Sequence, residues 1–144
     1  MSGKFNRPPA GKSWIWLTLD MMKGDAWRSA GINTRRFIDF LMIELMQNGG
    51  RKNGKLKAPY HQLEQIGIGA QYIATAINEA EQFGLVHCHR GGERVATTYT
   101  LTWIPLCDGT PATDHWRAYR SPKLKPWPEP KRQQEKVIDE EPGH

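Results

Sequence analysis

The sequence predicts an α+β fold in which three main helices are followed by a β-hairpin. Two observations predict it. Two short helical patterns between Ala58 and Phe83 are joined by Gly67-Ile68-Gly69, and a strand, a Gly91-Gly92 turn and a second strand follow directly. Apolar residues recur at helical spacing in the first part, whereas β-branched and aromatic residues dominate the second. This order predicts a winged helix-turn-helix whose wing has two to three strands.

The chain divides into three parts by composition. Residues 1–13 are basic and rich in Gly and Pro, which predicts a flexible arm; residues 14–119 are expected to form the domain; and residues 120–144 predict a disordered, Pro-rich and charged tail. The arm lacks the apolar stretch of an export signal, and no run approaches the roughly 20 apolar residues that cross a bilayer. We therefore expect a cytoplasmic protein without membrane contact.

The first elements precede the main core helix. Trp14 to Leu19 is aromatic and β-branched and predicts a short strand, after which Asp20 is expected to cap a small helix that ends near Trp27. Trp16, Trp27 and Trp103 are expected in the core, because Trp is large and mostly apolar.

The main core helix is predicted from Arg35 to about Gln47, with Asn33 or Thr34 as its cap. Gly49-Gly50 is expected to end it. Its apolar stripe consists of Phe37, Phe40, Leu41, Ile43 and Leu45.

The helix-turn-helix follows a basic turn at Asn53-Gly54. Leu56 to Ala58 predicts an edge strand, and Pro59 suits the first position of a helix over Tyr60 to Ile66, with Leu63 and Ile66 facing inward.

The second helix is predicted over Ala70 to Phe83, and Gly84 is expected to stop it. The strands of the hairpin are predicted over Leu85 to His89 and Val95 to Trp103. The inward face of the helix consists of Ile73, Ala76, Ile77 and Ala80.

Positive charge is concentrated outside the helix-turn-helix. The chain carries a net charge of +5. Residues 1–57 hold 11 Lys or Arg and 4 Asp or Glu, a net charge of +7, whereas residues 58–106 hold 2 and 4, a net charge of −2. A basic protein suits a polyanionic partner, and here the attraction would come from the arm, the first long helix and the loop after it.

Three groups of side chains are candidates for contact with double-stranded DNA. The start of the second helix would present its outward side chains to base edges, because Gln and Asn pair with adenine and Thr contacts the thymine methyl group. Basic groups beside that helix would hold phosphates, and two arginines would position the wing. The base-contacting candidates are Ala70, Gln71, Tyr72, Thr75 and Asn78. The phosphate candidates are Arg35, Arg36, Arg51, Lys52, Lys55 and Lys57, and the wing candidates are Arg90 and Arg94.

No pattern of residues predicts catalysis, a metal or a cofactor. His87-Cys88-His89 places two imidazoles on one side of a strand, but the spacing matches no structural zinc pattern, and Cys88 and Cys107 predict free thiols. No paired carboxylates, nucleophile elbow or phosphate loop is found. We therefore expect a protein that is not an enzyme.

The stretch from Asn53-Gly-Lys-Leu-Lys-Ala-Pro-Tyr through Ile-Asn-Glu-Ala-Glu-Gln-Phe-Gly-Leu-Val to Thr-Tyr-Thr-Leu-Thr-Trp-Ile-Pro resembles small winged helix-turn-helix proteins of bacterial phages, plasmids and integrative elements. Their helix-turn-helix is similar to the N-terminal domain of phage and plasmid replication initiators. The resemblance covers about residues 14–117. Where the family commonly has Ser-Lys-Ser-Thr, this chain has Gly69-Ala70-Gln71-Tyr72.

The resemblance implies sequence-preferring binding of double-stranded DNA, as a transcriptional regulator or as a replication or excision factor of a mobile element. The alternative is a winged helix that docks a protein of a replication, recombination or transcription complex through its acidic second helix. A homodimer would extend the short DNA site of one domain, although no dimer seam is visible in the sequence.

Overall fold

The computed structural model describes residues 7–130 of the chain and shows an α+β fold. Residues 1–6 of the predicted arm and residues 131–144 of the predicted tail lie outside this range. The described part contains five α-helices and one two-stranded antiparallel sheet. The helices are α1 Leu19–Lys23, α2 Asp25–Ser29, α3 Ile32–Gln47, α4 Tyr60–Gln65 and α5 Ile73–Gln82, and the strands are β1 Val86–His89 and β2 Thr98–Leu101. Two 3-10 helices cover Ala70–Tyr72 and His115–Ala118.

The core is built around α3. Phe37, Ile38 and Leu41 are fully buried, and the Phe37 ring meets the ring of Tyr99 from β2 edge-on at 5.3 Å between centroids. The predicted stripe is thus largely confirmed, but Ile43 is half exposed and Ile38 takes the inward position. The reason is the helical angle, since Ile38 lies one residue from Phe37 and three from Leu41, on the same side of the helix.

The predicted cap of α3 is wrong. The helix begins at Ile32 with Gly31 as the capping residue, so Thr34 lies inside the first turn and is buried. Its hydroxyl donates to Glu79 Oε1 of α5 at 2.6 Å, and the Gly31 N–H donates to the same oxygen at 3.0 Å. A carboxylate from a distant helix therefore accepts a backbone N–H at the start of α3, where a local side chain was expected to cap the helix.

The predicted strand over Trp14 to Leu19 is also wrong, because this segment makes no ladder with another strand of the described chain. It is held by the Trp103 indole N–H, which donates to the Trp16 carbonyl oxygen at 2.9 Å. Trp103 and Trp27 are buried as expected, whereas the Trp16 side chain is 42% exposed.

Gly24 divides the predicted small helix into α1 and α2, and Asp20 lies within the first turn of α1, whose capping position is Thr18. The Met21 N–H still donates to the Asp20 carboxylate, at 3.0 Å.

Helices α4 and α5 enclose the predicted turn. Leu63 is buried as expected, but Ile66 is 44% exposed and Ile68 is buried in its place. Gly67, with φ +112°, turns the chain so that Ile68 points inward. The second helix starts as a 3-10 turn at Ala70, and its predicted inward residues are all buried.

The hairpin is shorter than predicted. Val86 pairs with Leu101 and His89 with Thr98, and the predicted edge strand is reduced to one bridge between Leu56 and Tyr99. The segment from residue 90 to residue 97 forms an open, irregular tip.

The region after the hairpin packs back on the domain. Trp116 is buried, and the Tyr119 ring lies 4.3 Å from that of Phe83, at the end of α5. Residues 120–130 contain no regular helix or strand, and the Ser121 N–H donates to Asp25 Oδ2 at 2.8 Å. Across residues 7–130 no helix combines the length and apolar character needed to cross a membrane. The predicted boundaries of arm, domain and tail stay predictions.

Candidate nucleic-acid interface

The side chains predicted to contact bases lie on one exposed surface. This surface comprises Ala70, Gln71, Tyr72, Thr75 and Asn78, all of which are exposed. It is the outward side of the 3-10 turn and of the first half of α5, because the inward side carries Ile73, Ala76 and Ile77 into the core. We call these five residues the α5 face.

The α5 face continues onto the start of α3. Tyr72 and Thr75 share a shallow depression of about 260 Å³ with Ile32 and Asn33. Asn33, which sequence reasoning treated only as a possible helix cap, therefore adds an amide to the face. No local signal indicates this, since the contact joins residues about 40 positions apart in the chain.

The two carboxylates of α5 are both engaged in intramolecular contacts. Glu79 accepts hydrogen bonds from the Gly31 N–H and the Thr34 hydroxyl at the positive end of α3. Glu81 accepts from Arg90 at 3.2 Å, and this hydrogen bond raises the pKa of the Arg90 guanidinium. The acidic character of α5 is therefore partly compensated within the fold, and Glu79 lines the same depression as Tyr72 and Thr75.

The predicted phosphate contacts do not form one cluster. The Arg35 guanidinium lies 4.7 Å from the centroid of the Trp27 ring and donates to the Trp27 carbonyl oxygen, so it is committed to α2. Arg36 is exposed and donates to the Gly67 carbonyl oxygen at 3.0 Å, which places it against the turn between α4 and α5. Of the predicted phosphate contacts, Arg36 is thus the one whose hydrogen bond places it beside α4 and α5.

The basic loop formed by Arg51, Lys52 and Lys55 does not lie beside the α5 face, contrary to expectation. It follows the C-terminal end of α3, whereas Tyr72 and Thr75 lie beside the N-terminal end. A 16-residue helix is about 24 Å long at 1.5 Å per residue, so α3 separates the two groups. Lys57 differs from the loop, because it lies with Tyr60 and Thr97 at the base of the hairpin tip.

The two wing arginines differ in availability. Arg90 is held back on α5 by its pair with Glu81, although both side chains keep substantial exposure. Arg94 is exposed at the tip and adopts a left-handed backbone conformation, with φ +64°. Arg94 is therefore the wing cation that projects from the hairpin.

The His87-Cys88-His89 segment shows the alternation of a strand. His87 and His89 are exposed with their rings 4.6 Å apart, and Cys88 is buried between them on the other side. Burial raises the pKa of the Cys88 thiol to about 11. Within residues 7–130 no group of three His, Cys, Asp or Glu side chains is placed to hold a metal ion. Cys88 and Cys107 are free thiols.

Comparisons of the chain with protein-family models, with curated proteins and with solved structures find no match.

Proposed function

We propose that this chain is a winged helix-turn-helix protein that binds double-stranded DNA and prefers particular base sequences. Helices α4 and α5 are the helix-turn-helix, with α5 as recognition helix, and the β1–β2 hairpin is the wing. Its role would be that of a transcriptional regulator or of a replication or excision factor of a mobile element.

One observation on α5 carries the proposal: its exposed face is polar, and its two carboxylates are held in contacts within the fold. A recognition helix reads bases with the side chains of its first turns. Here Gln71, Thr75 and Asn78 are exposed at those turns, with donors and acceptors that suit base edges. Glu79 and Glu81, which would repel phosphates, are bonded to α3 and Arg90.

Arg36 and Arg94 are placed where they could hold phosphates beside the recognition helix. Arg36 beside the turn and Arg94 at the wing tip lie on elements that flank the recognition helix, where phosphate contacts fix the register of a protein on DNA. Two such contacts give only modest non-specific affinity, so the protein should bind tightly only at low salt or as a dimer on paired half-sites.

The proposal predicts that Gln71→Ala combined with Thr75→Ala weakens specific DNA binding. Each lost base contact should cost about 1–3 kcal/mol. The target duplex is first selected from random DNA, and affinity is then measured by fluorescence anisotropy over a salt series. Gln82→Ala, an exposed glutamine at the far end of α5, is the matched control and should bind like the wild type.

A second arm of the experiment separates base contacts from phosphate contacts. Arg94→Ala should weaken binding to all duplexes alike and lower the slope of log K against log salt by about 1. A wild-type protein that binds no duplex at low salt would contradict the proposal and favour docking of a protein on the α5 face instead.

A further inference from the structure

A groove at the end of the molecule away from the α5 face is lined by two exposed tryptophans. Trp14 is 57% exposed and Trp16 is 42% exposed, and their ring centroids lie 6.3 Å apart with a 51° tilt between the planes. The groove has a volume of about 600 Å³. Its other walls are the end of α3, through Leu45 and Met46, and the loop from Ile104 to Gly109. Its size is typical of ligand-binding clefts.

The exposure of the two indoles is not a consequence of a loose segment. The Trp103 indole donates to the backbone carbonyl of Trp16, and Ile15 between the tryptophans packs against the core. Trp14 and Trp16 thus alternate with Ile15 and Leu17, which pack against the core, and both indoles line the groove. Large aromatic surfaces that a fold holds in water mark interaction sites.

The charge around the groove indicates what it binds. The lining residues of the described chain include one cation, Arg51, and no carboxylate. Lys52 and Lys55 follow in the same exposed loop. Asp108 is exposed next to two lining residues but outside the lining; hydrogen bonding to Thr110 and the charge of Lys55 lower its pKa, so it stays ionised and offsets part of the charge of Lys55.

We propose that this groove binds single-stranded nucleic acid, with bases stacked on Trp14 and Trp16 and phosphates held by Arg51 and Lys52. Stacking on aromatic side chains beside a basic track is how proteins hold single strands without reading their sequence. The apolar lining and the two indole faces accept bases, and the neighbouring cations accept the backbone. The site is separate from the α5 face, so the inference does not depend on the proposed duplex binding.

The inference is tested with a fluorescent oligothymidylate of about ten nucleotides, which has bases to stack and forms no duplex. Anisotropy at low salt measures its affinity for the full chain. Trp14→Ala and Trp16→Ala should each weaken binding about ten-fold, and Arg51→Ala should weaken it and lower its salt dependence. Trp16→Ala keeps the backbone carbonyl that accepts from Trp103, and far-ultraviolet circular dichroism verifies the fold of each variant.

Two matched controls separate this site from other surfaces. Trp127→Ala removes an exposed indole outside the groove and should leave oligothymidylate binding unchanged. Gln71→Ala with Thr75→Ala should weaken duplex binding alone. If those two substitutions leave duplex binding intact while the groove variants lose the single strand, the proposed function fails and this inference stands.

Absence of oligothymidylate binding at low salt would overturn the inference and leave the groove to an apolar peptide of a partner protein. Binding that Trp14→Ala and Trp16→Ala do not weaken would also overturn it, because the strand would then lie elsewhere.

Discussion

Asn53 joins the loop after α3 to the end of β2. Its side chain is 1% exposed; the amide Nδ2 donates to the carbonyl oxygens of Leu101 at 3.0 Å and Ile104 at 2.8 Å, and Oδ1 accepts from the Leu101 N–H at 2.8 Å. The sequence indicates only a tight turn at Asn53-Gly54. The amide also donates to the Pro105 carbonyl oxygen at 3.3 Å, so a buried side chain that bonds four backbone groups about 50 residues away is instead a core residue with polar chemistry.

Asn53→Ala should therefore lower the free energy of unfolding by about 2–3 kcal/mol, because buried backbone groups lose their partners. Asn53→Asp should destabilise at least as much, since a carboxylate oxygen would face three carbonyl oxygens. Urea unfolding followed by circular dichroism measures both. Asn78→Ala, at an exposed position of α5, is the control; equal stability of the Asn53 and Asn78 variants would show that the hydrogen bonds contribute nothing.

At the scale of elements, the end of α5 is fitted tightly to the segment around Trp116. Gly84 adopts φ +77°, and a Cβ at this position would lie 2.6 Å from the His115 carbonyl oxygen. Glycine is required here both for the left-handed conformation and for the close approach of a second backbone. The same approach brings Tyr119 onto Phe83.

Gly84→Ala should destabilise the protein by roughly 3 kcal/mol, through backbone strain together with a steric clash. Gly50→Ala separates the two effects, because Gly50 has a similar φ of +74° and a Cβ there would meet no atom within 4 Å. That variant should cost about 1 kcal/mol from strain alone. Thermal unfolding of both variants tests this, and a Gly84→Ala protein no less stable than Gly50→Ala would refute the clash.

At the scale of the whole molecule, a buried thiol and a buried phenol lower the free energy of unfolding as the pH becomes alkaline. Cys88 of β1 lies directly opposite Tyr99 of β2, and burial is the main cause that raises the pKa of the thiol to about 11 and of the phenol to about 12. In the unfolded chain both groups would ionise near their ordinary values of 9.0 and 10.0. The unfolded state thus loses protons first, and stability that is complete below pH 9 is lost as the pH rises.

We expect the free energy of unfolding to fall by roughly 3 kcal/mol between about pH 9 and about pH 11. Tyr99→Phe keeps the ring that packs on Phe37 and removes one titrating group, so its pH dependence should be flatter. Urea unfolding at a series of pH values measures the slope. A slope in Tyr99→Phe as steep as in the wild type would exclude Tyr99 as a cause.

Most elements could be predicted because their signals are local. The end of α3 at Gly49-Gly50, the inward face of α5 and the stop at Gly84 are set by residues within a few positions of one another. The strand over Trp14 to Leu19 was wrong because aromatic and β-branched residues favour extended backbone but do not supply a partner strand. The cap of α3 was wrong because its acceptor belongs to α5.

Only part of the candidate DNA-contacting surface could be predicted, again because only some of its features are set by local sequence. Exposure of the α5 face follows from helical periodicity, which the sequence contains. Whether a cation is free to contact phosphates does not follow from periodicity, because Arg35 packs on Trp27 and Arg90 pairs with Glu81. The sequence alone determined the α+β class, the helix pair and the hairpin, through short-range propensity and spacing. Only the tertiary structure decided that α3 separates the basic loop from the α5 face and that Trp14 and Trp16 remain exposed, because burial and pairing depend on residues far apart in the chain.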